Sequence, residues 1–256
     1  MMAEARGAEI YNQLFAQEGL SESESFYRWS LQKLEPRPGA TLLDVACGQG
    51  GLLRAAAEAG LRAFGLDFSR QALELARQAA PQAQLVLAEG EALPYRDKSF
   101  DYVTCLGSLE HFADPWREAT EIRRVLKPEG LAAIFLPNGY YLADLLWHVL
   151  RKGRGPHHRQ LVERFAAAHE WADFLTMMGL QVLKIYRYNF CWPRSKRDWQ
   201  WYRRYPRKLL NLLLGVITPF HLSYSFLYVC KVGEVTLSLN ERLPLLLRRP
   251  VARRTP

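Results

Sequence analysis

Apolar positions along this chain follow two periods, and their alternation predicts the fold. Short apolar runs, each closed by an acid or a glycine, recur at Thr41–Val45, Leu61–Asp67, Gln84–Ala88, Phe100–Leu106 and Leu131–Leu136. Runs of this length between turn residues read as buried parallel strands. Between them lie segments with apolar residues three and four apart, which read as helices: one opening at about Gly50, one from Ser69 through Gln78, and one from Asp114 to the Val125–Gly130 stretch. Ser69 and Asp114 are placed as N-caps, the latter followed by Pro115 at the first helical position. Two more helices are expected before the first strand, Ala8 to Glu18 and Glu22 to Leu34, the second stopped by Pro36-Arg37-Pro38-Gly39. After the fifth strand come an apolar helix from Gly139 to Leu150, another helix ending near Met178 and Gly179, and two last strands, Leu180–Tyr188 and Tyr224–Val232. Alternating strands and helices in this order predict an α/β fold with an open, mostly parallel sheet.

The densest chemistry sits where the first strand meets its helix, in Thr41-Leu-Leu-Asp-Val-Ala-Cys-Gly-Gln-Gly-Gly-Leu-Leu53. Gly48, Gly50 and Gly51 permit a tight turn and a close approach of backbone to a ligand, which is the nucleotide-type arrangement of open parallel sheets. Two details argue against a dinucleotide. The third glycine of the G-x-G-x-x-G pattern falls on Leu53, and Asp44 precedes the turn, where a carboxylate repels a pyrophosphate and receives an ammonium group. At the end of the second strand Asp67 is placed to accept both hydroxyls of a ribose, or to cap its own turn, and Phe68 beside it to pack on a base. The third strand leads into Glu89-Gly90-Glu91-Ala92-Leu93-Pro94-Tyr95, a strand-end loop offering acceptors for an exocyclic amine and backbone donors for a ring nitrogen.

Taken together, Asp-Val-Ala-Cys-Gly-Gln-Gly from Asp44, Asp67, the Glu89 loop, Ser99-Phe-Asp101, Leu109-Glu-His-Phe-Ala-Asp-Pro115 and Arg124-Val-Leu-Lys-Pro-Glu-Gly130 resemble the class I S-adenosylmethionine-dependent methyltransferases over roughly 100 residues, from Thr41 to Pro137. The likeness is to the branch that includes quinone-ring C-methylases and many small-molecule methyltransferases. It implies a Rossmann-like sheet of seven strands with an antiparallel last strand, and S-adenosylmethionine as cofactor. It places Asp44 near the methionine ammonium, with Ala46 in a position where many members have glycine, and Gly48 and Gly50 in the turn. Asp67 and Phe68 fall at the ribose and adenine, Glu89, Gly90 and Glu91 at the adenine edge, and Leu106 at the end of the fourth strand. The Asn-Pro-Pro-Tyr signature of amino-directed nucleic-acid methylases is absent, since the fourth strand ends in Cys105-Leu-Gly-Ser108.

Methyl transfer from a sulfonium requires mainly a nucleophile held about 3 to 3.5 Å away in a water-poor pocket. His111, just beyond the fourth strand, is the candidate base for a hydroxyl or carbon acid, with a role bridging loop and helix as the alternative. Acceptor contacts are expected from Tyr11 in the N-terminal helical cap and from His157 and His158 before the penultimate helix. Cys47, Cys105, Cys191 and Cys230 show neither C-x-x-C spacing nor a partner histidine pair, so they read as buried, reduced thiols and no metal site is expected.

Charge changes the picture only in the second part. Residues 1–150 carry a net −6 and residues 151–256 a net +14. Between the last two strands, residues 192–222 form an insertion longer than a hairpin needs. It holds Arg194, Lys196, Arg197, Arg203, Arg204, Arg207 and Lys208 interleaved with Trp192, Trp199, Trp201, Tyr202 and Tyr205, and then the apolar run from Leu209 to Phe220. That run is shorter than the roughly 20 residues of a membrane span, so the insertion reads as an interfacial element on an anionic membrane, or as packing with solvated charge. The chain thus divides into a helical cap (1–40), a catalytic domain (41–232) and a basic tail (233–256). With no apolar leader at the N-terminus, the expected location is cytoplasmic, with membrane association through the insertion. The expected acceptor is a small or lipid-like molecule. A nicotinamide-dependent oxidoreductase would share the first strand and turn without needing the Glu89 loop. A non-catalytic nucleic-acid-binding protein would use the basic region but gives no reason for its apolar run.

Overall fold

The computed structural model describes residues 21–153 and 164–236. The expected helix over residues 8–18 and most of the tail lie outside these residues.

Seven strands form one sheet: β1 (Thr41–Val45), β2 (Arg62–Asp67), β3 (Gln84–Leu87), β4 (Phe100–Leu106), β5 (Leu126–Pro137), β6 (Leu180–Tyr188) and β7 (Ser225–Val232). Their spatial order is β3-β2-β1-β4-β5-β7-β6. Pairings from β3 through β5 are parallel, and β7 runs antiparallel to both β5 and β6. The chain builds outward from β1 to β3, then returns to lay β4 on the other side of β1. In open α/β sheets this reversal leaves a crevice beyond the carboxyl ends of the strands. Asp44, Asp67 and Leu106 all lie at or next to such ends.

The helices that connect the strands are α2 (Gly51–Glu58), α3 (Arg70–Ala79) and α4 (Pro115–Val125), preceded by α1 (Glu24–Gln32). Ser69 and Asp114 cap α3 and α4 by accepting from the Ala72 and Arg117 backbones, and Ser23 caps α1 in the same way. A helix-length segment follows β5, with Leu142–Asp144 running into a π-helical Leu145–Leu150, so helical structure starts three residues later than Gly139; we label it α5. Then comes α6 (Ala168–Met177), whose Trp171 and Phe174 are fully enclosed. β5 begins at Leu126, well before Leu131. Residues 126–130 carry on as strand across a register shift, with Leu126 beside Phe100 and Leu131 beside Tyr102.

The sheet divides the core into two apolar layers. One holds Val103, Ile122, Trp171 and Phe226, and the other Leu42, Leu53, Phe26 and Tyr188. Strands buried on both faces have no polar alternation, which is why β1 and β4 are almost uninterruptedly apolar. The two outer strands differ: β3 has four residues, whereas β6 has nine and a register irregularity between Val182 and Lys184.

The insertion folds as two short helices, α7 (Lys196–Arg204) and α8 (Pro206–Leu214). α7 docks on α1. Asp198 is buried and accepts from the Ser25 backbone (3.0 Å) and hydroxyl (2.7 Å) and from the Arg194 (2.9 Å) and Ser195 (3.0 Å) backbones. The one acid of a basic stretch is therefore a structural bolt, held below the usual carboxylate range by hydrogen bonds that outweigh its burial. Trp201 and Tyr202 are buried beside it, and Trp201 donates to the Ser21 carbonyl at 2.8 Å. Cys191 is only half-buried, unlike the other three thiols, because it lies in the segment leading into this insertion.

Candidate active site

The site grows from the turn after β1. Ala46, Gly48 and Gly50 all adopt positive φ (55°, 50° and 74°), which folds the chain back on itself before α2 begins. At Gly50 this conformation leaves no room for a side chain, because a Cβ would lie 2.9 Å from the Cα of Ala76 on α3. Ala46 takes the left-handed conformation without glycine's freedom, at a cost of roughly 1–2 kcal/mol. Such strain is retained where surrounding structure imposes it.

Two carboxylates flank the turn from neighbouring strands. Asp67 accepts from the backbone N–H of Gly48 at 2.9 Å and of Ser69 at 2.9 Å, thereby clamping the turn to the end of β2. Burial still raises its pKa despite those bonds. Asp44, 4% exposed, accepts from the Thr104 hydroxyl at 2.7 Å across the β1–β4 pairing. Burial, only partly offset by the Thr104 bond, together with the nearby Asp67 charge, lifts its pKa to about 7. An acid in that condition lacks a cation, and a ligand ammonium placed beside it would restore its ionised form.

Tyr27 of α1 covers the turn, its ring occupying the space a Cβ on Gly51 would need. Its phenol accepts from the Glu22 backbone at 3.1 Å, and burial raises its pKa. Phe26 next to it points the other way, into the core against Phe135 and Tyr188. Phe68 is half-buried at the rim after Asp67.

The loop after β3 is held from behind by α4. The Glu91 side chain accepts from the Asp114 backbone at 2.9 Å, Glu121 accepts from the Leu93 backbone at 2.9 Å, and Arg124 donates to the Leu93 and Tyr95 carbonyls at 3.0 and 2.8 Å. Gly90 and Glu91 open a short 3-10 turn, whose first N–H groups find no carbonyl within the turn. The Glu89 side chain is exposed. Beneath Gly90 lies the carboxyl of Glu118, which would overlap a Cβ there; it is fully buried, neither oxygen is hydrogen-bonded, and burial pushes its pKa well up. The buried stripe of α4 is Pro115, Glu118, Ala119, Ile122 and Val125, and this three- and four-residue spacing places Glu118 inward.

At the end of β4, half-buried Leu106 is followed by Gly107 (φ 71°) and then by Glu110 and His111, whose side chains approach to 3.5 Å (Oε1 to Nε2). Glu110 is buried. Arg164 fastens this segment by donating to the carbonyls of Glu110, Phe112 and Ala113 at 3.3, 2.6 and 3.2 Å.

The structure therefore gathers Asp44, Ala46, Gly48, Gly50, Asp67, Phe68, Gly90, Glu91, Leu106 and His111 around one sheet edge. Tyr11, His157 and His158 lie outside the described residues. Thr104, Glu118 and Arg164 joined the site unannounced by motif, whereas Glu110 lies within the Leu109–Pro115 segment. For Thr104 the signal is a hydroxyl in the buried, mainly apolar middle of β4.

Residues 43–134 match the family described as methyltransferase domain. The match runs from β1 into β5, and over that stretch the chain is similar to a methyltransferase domain. The chain is 36% identical over 138 residues to the 2-phytyl-1,4-naphtoquinone methyltransferase of Trichormus variabilis, covering 50% of this chain and 60% of the relative. It is also 28% identical over 184 residues to the ubiquinone biosynthesis O-methyltransferase of Actinobacillus pleuropneumoniae, covering 66% and 76%. The chain thus spans about 60% of the length of the first of these methyltransferases. Among solved structures, the Burkholderia thailandensis 1,6-didemethyltoxoflavin-N1-methyltransferase, determined with S-adenosylhomocysteine, superposes with a TM-score of 0.57 at 16% identity, covering 91% of this chain and 87% of that one. That likeness is one of fold. The shared sheet is the framework on which the acids, glycines and loops above are set, and its reversal between β1 and β4 is the crevice they line. No group of His, Cys, Asp and Glu among the described residues forms a metal-binding cluster.

Proposed function

We propose that the protein transfers a methyl group from S-adenosylmethionine to a small, apolar acceptor of lipid-like character. The donor fits this site: Asp44 is a buried acid short of a cation, Asp67 offers acceptors at the end of β2, and the glycine turn admits backbone contact. When bound, the donor supplies an already activated sulfonium methyl, so the protein's own work is positioning and proton handling. Asp44 holds the ammonium and Asp67 the ribose hydroxyls. Backbone N–H groups of Gly90 and Glu91 meet the adenine edge, Phe68 and Leu106 flank the base, and Tyr27 shields the turn from water. The same acid at Asp44 disfavours the pyrophosphate of a nicotinamide cofactor.

The observation that carries the acceptor class is a chain of aromatic rings leading away from the end of β4. Phe135, close to Gly107, meets Tyr188 at 5.2 Å between ring centroids; Tyr188 meets Phe190 at 5.5 Å, Phe190 meets Tyr224 at 4.7 Å, and Tyr224 meets Tyr141 at 5.2 Å. Tyr141 immediately precedes α5, whose Leu146, Trp147, Val149 and Leu150 are exposed. Phe135, Tyr188 and Phe190 are packed in the core and back this run, and its exposed apolar end on α5 suits an acceptor with an apolar tail, the type that the named 2-phytyl-1,4-naphtoquinone relative methylates. His111 takes the acceptor's proton, with Glu110 orienting its imidazole.

We also infer that the insertion rests on an anionic membrane surface. α8 buries Leu212 while Leu210, Leu213 and Leu214, and Val216 and Ile217 beyond it, are exposed; Arg203, Arg204 and Arg207 are exposed alongside. This is the make-up of a helix lying in a headgroup region, and no helix among the described residues is long and apolar enough to cross a membrane.

Incubation with methyl-labelled donor and a reduced, prenylated naphthoquinone tests the reading: label should enter the quinone. His111→Ala should lower turnover by about 10²–10⁴ while leaving donor affinity intact. Equal loss of both would make His111 structural, and donor binding with no transfer to any apolar phenol or quinol would remove the acceptor assignment.

A further inference from the structure

A second cavity lies away from the cofactor crevice. It is a groove of about 250 Å³ between α1 and the segment leaving β6. From α1 it takes Ser25, Arg28, Trp29 and Gln32, a stripe spaced three and four residues apart, while Tyr27 on the opposite side of that helix faces the glycine turn. The other wall includes Arg187, Trp192 and Arg194.

Three arginines are among the residues lining this groove, and among the described residues no acid lines it. Elsewhere around the insertion, cations facing the domain are matched by acids: Arg197 and Arg54 with Glu24 at 2.9 and 2.7 Å, and Lys208 with Glu22 at 3.1 Å. The buried Asp198 behind the groove is already saturated by Ser25 and by the Arg194 and Ser195 backbones. Arg28 leans outward to Glu58 at 3.2 Å. Arg187 spends one N–H on the Thr218 carbonyl at 2.9 Å, and among the described residues the Arg194 guanidinium has neither a hydrogen bond nor an ion pair. Within the concavity, Arg187 and Arg194 are thus cations without an acid partner among the described residues. Its walls are aromatic: Trp29 is braced by Tyr188 with centroids 5.3 Å apart, and Trp192 is 57% exposed on the other side.

A planar guanidinium fork matches the oxygens of a phosphate, and two forks in one concavity match a phosphate better than they match a single carboxylate. We propose that this groove binds a phosphate ester, with Arg187 and Arg194 on the phosphate, Arg28 at the rim, and the organic part between Trp29 and Trp192. The source is either the headgroup of an anionic phospholipid or a soluble ester. This site is independent of methyl transfer and of the apolar face of α8.

Two probes test it on the full chain, with calorimetry and tryptophan fluorescence as readouts: glycerol 1-phosphate, and vesicles of phosphatidylglycerol set against phosphatidylcholine. Saturable binding of at least one phosphate probe is expected, weakened at least tenfold in R187E/R194E, with S-adenosylmethionine affinity unchanged. Glycerol 1-phosphate binding that the variant loses assigns a soluble ester, and vesicle binding alone that the variant loses assigns the lipid headgroup. Arg194→Ala, which removes a side chain that makes no hydrogen bond or ion pair among the described residues, serves as a second variant that should keep the fold and should weaken binding in the same direction. Absence of saturable binding to either probe, or equal binding by the parent and both variants, overturns the assignment.

Discussion

The two halves of the sheet are built for ligands by different means. Around β1, β2 and β4 the recognising groups are backbone and strand-end carboxylates: Asp44 and Asp67 are 4% and 3% exposed, and Asp67 fixes the glycine turn by accepting from Gly48. Around β5, β6 and β7 the groups are side chains on added helices, aromatic inside and apolar or cationic outside, and α7 is bolted to α1 by the buried Asp198. The first half is rigid where it touches ligand and suits an invariant molecule. The second presents broad surfaces of Trp, Tyr, Leu and Arg, which suit a greasy or charged partner met at an interface. On the proposed function, one half would read a molecule by hydrogen bonds and the other by phase.

Perturbations of one half should therefore leave the other intact. The largest effect is expected for the triple change of Arg203, Arg204 and Arg207 to Glu. Each cation near anionic lipid contributes roughly 1 kcal/mol, so co-sedimentation with phosphatidylglycerol vesicles should weaken by about 3 kcal/mol or more, over a hundredfold. Donor affinity should not move; retention of vesicle binding would reduce the insertion to packing with solvated charge. Next comes Asp67→Ala, which removes acceptors for both the ribose and Gly48. Titration calorimetry should find S-adenosylmethionine bound about 1–3 kcal/mol more weakly, with vesicle binding unchanged. An unaltered affinity in a folded variant would take Asp67 out of the site.

A smaller effect separates the two acids. Asp44, with its pKa lifted to about 7, is protonated in the free protein below that pH, whereas a bound ammonium favours the carboxylate. Binding should then release a proton and tighten about tenfold from pH 6 to pH 7.5, levelling off until the ligand's own amino group deprotonates near pH 8. Asp44→Asn should flatten that profile; a parent protein whose affinity ignores pH would show that Asp44 does not meet the ammonium. Smallest of all, Ala46→Gly relieves a residue held at φ 55° and should raise stability by up to about 1 kcal/mol in chemical denaturation, since glycine's greater unfolded-state freedom offsets part of the relief. A destabilised Ala46→Gly would mean that the alanine methyl packs more than it strains.

The site was legible where its parts are close in sequence. Asp44 and the glycines stand close together in sequence, and the caps at Ser69 and Asp114 each stand three residues ahead of the N–H they serve. What stayed hidden depends on long-range partners. Thr104 matters because β4 lies beside β1 in register with Asp44, Arg164 because it reaches back to carbonyls more than fifty residues earlier, and Asp198 because its partner Ser25 is 173 residues away. The basic-aromatic stretch offered two readings, packing or interface. The structure divides it by helix face, burying Trp201 and Tyr202 and exposing Trp199, Arg203 and Arg204. No periodicity assigns those faces until α1 is in place to receive one of them.

The long outer strand β6 carries a further consequence, for how the protein behaves in concentrated solution. A nine-residue margin of unpaired N–H and C=O groups invites another chain to zip on, and an exposed apolar face on the same molecule would bring copies close enough to try. The irregularity between Val182 and Lys184 breaks the straight run of that margin, and exposed Lys184 and Arg187 set like charges against like when two such margins approach. At the opposite margin β3 is too short to template much. Crowding should therefore drive this protein toward bilayers or loose apolar contacts that salt and detergent reverse, and away from fibre growth.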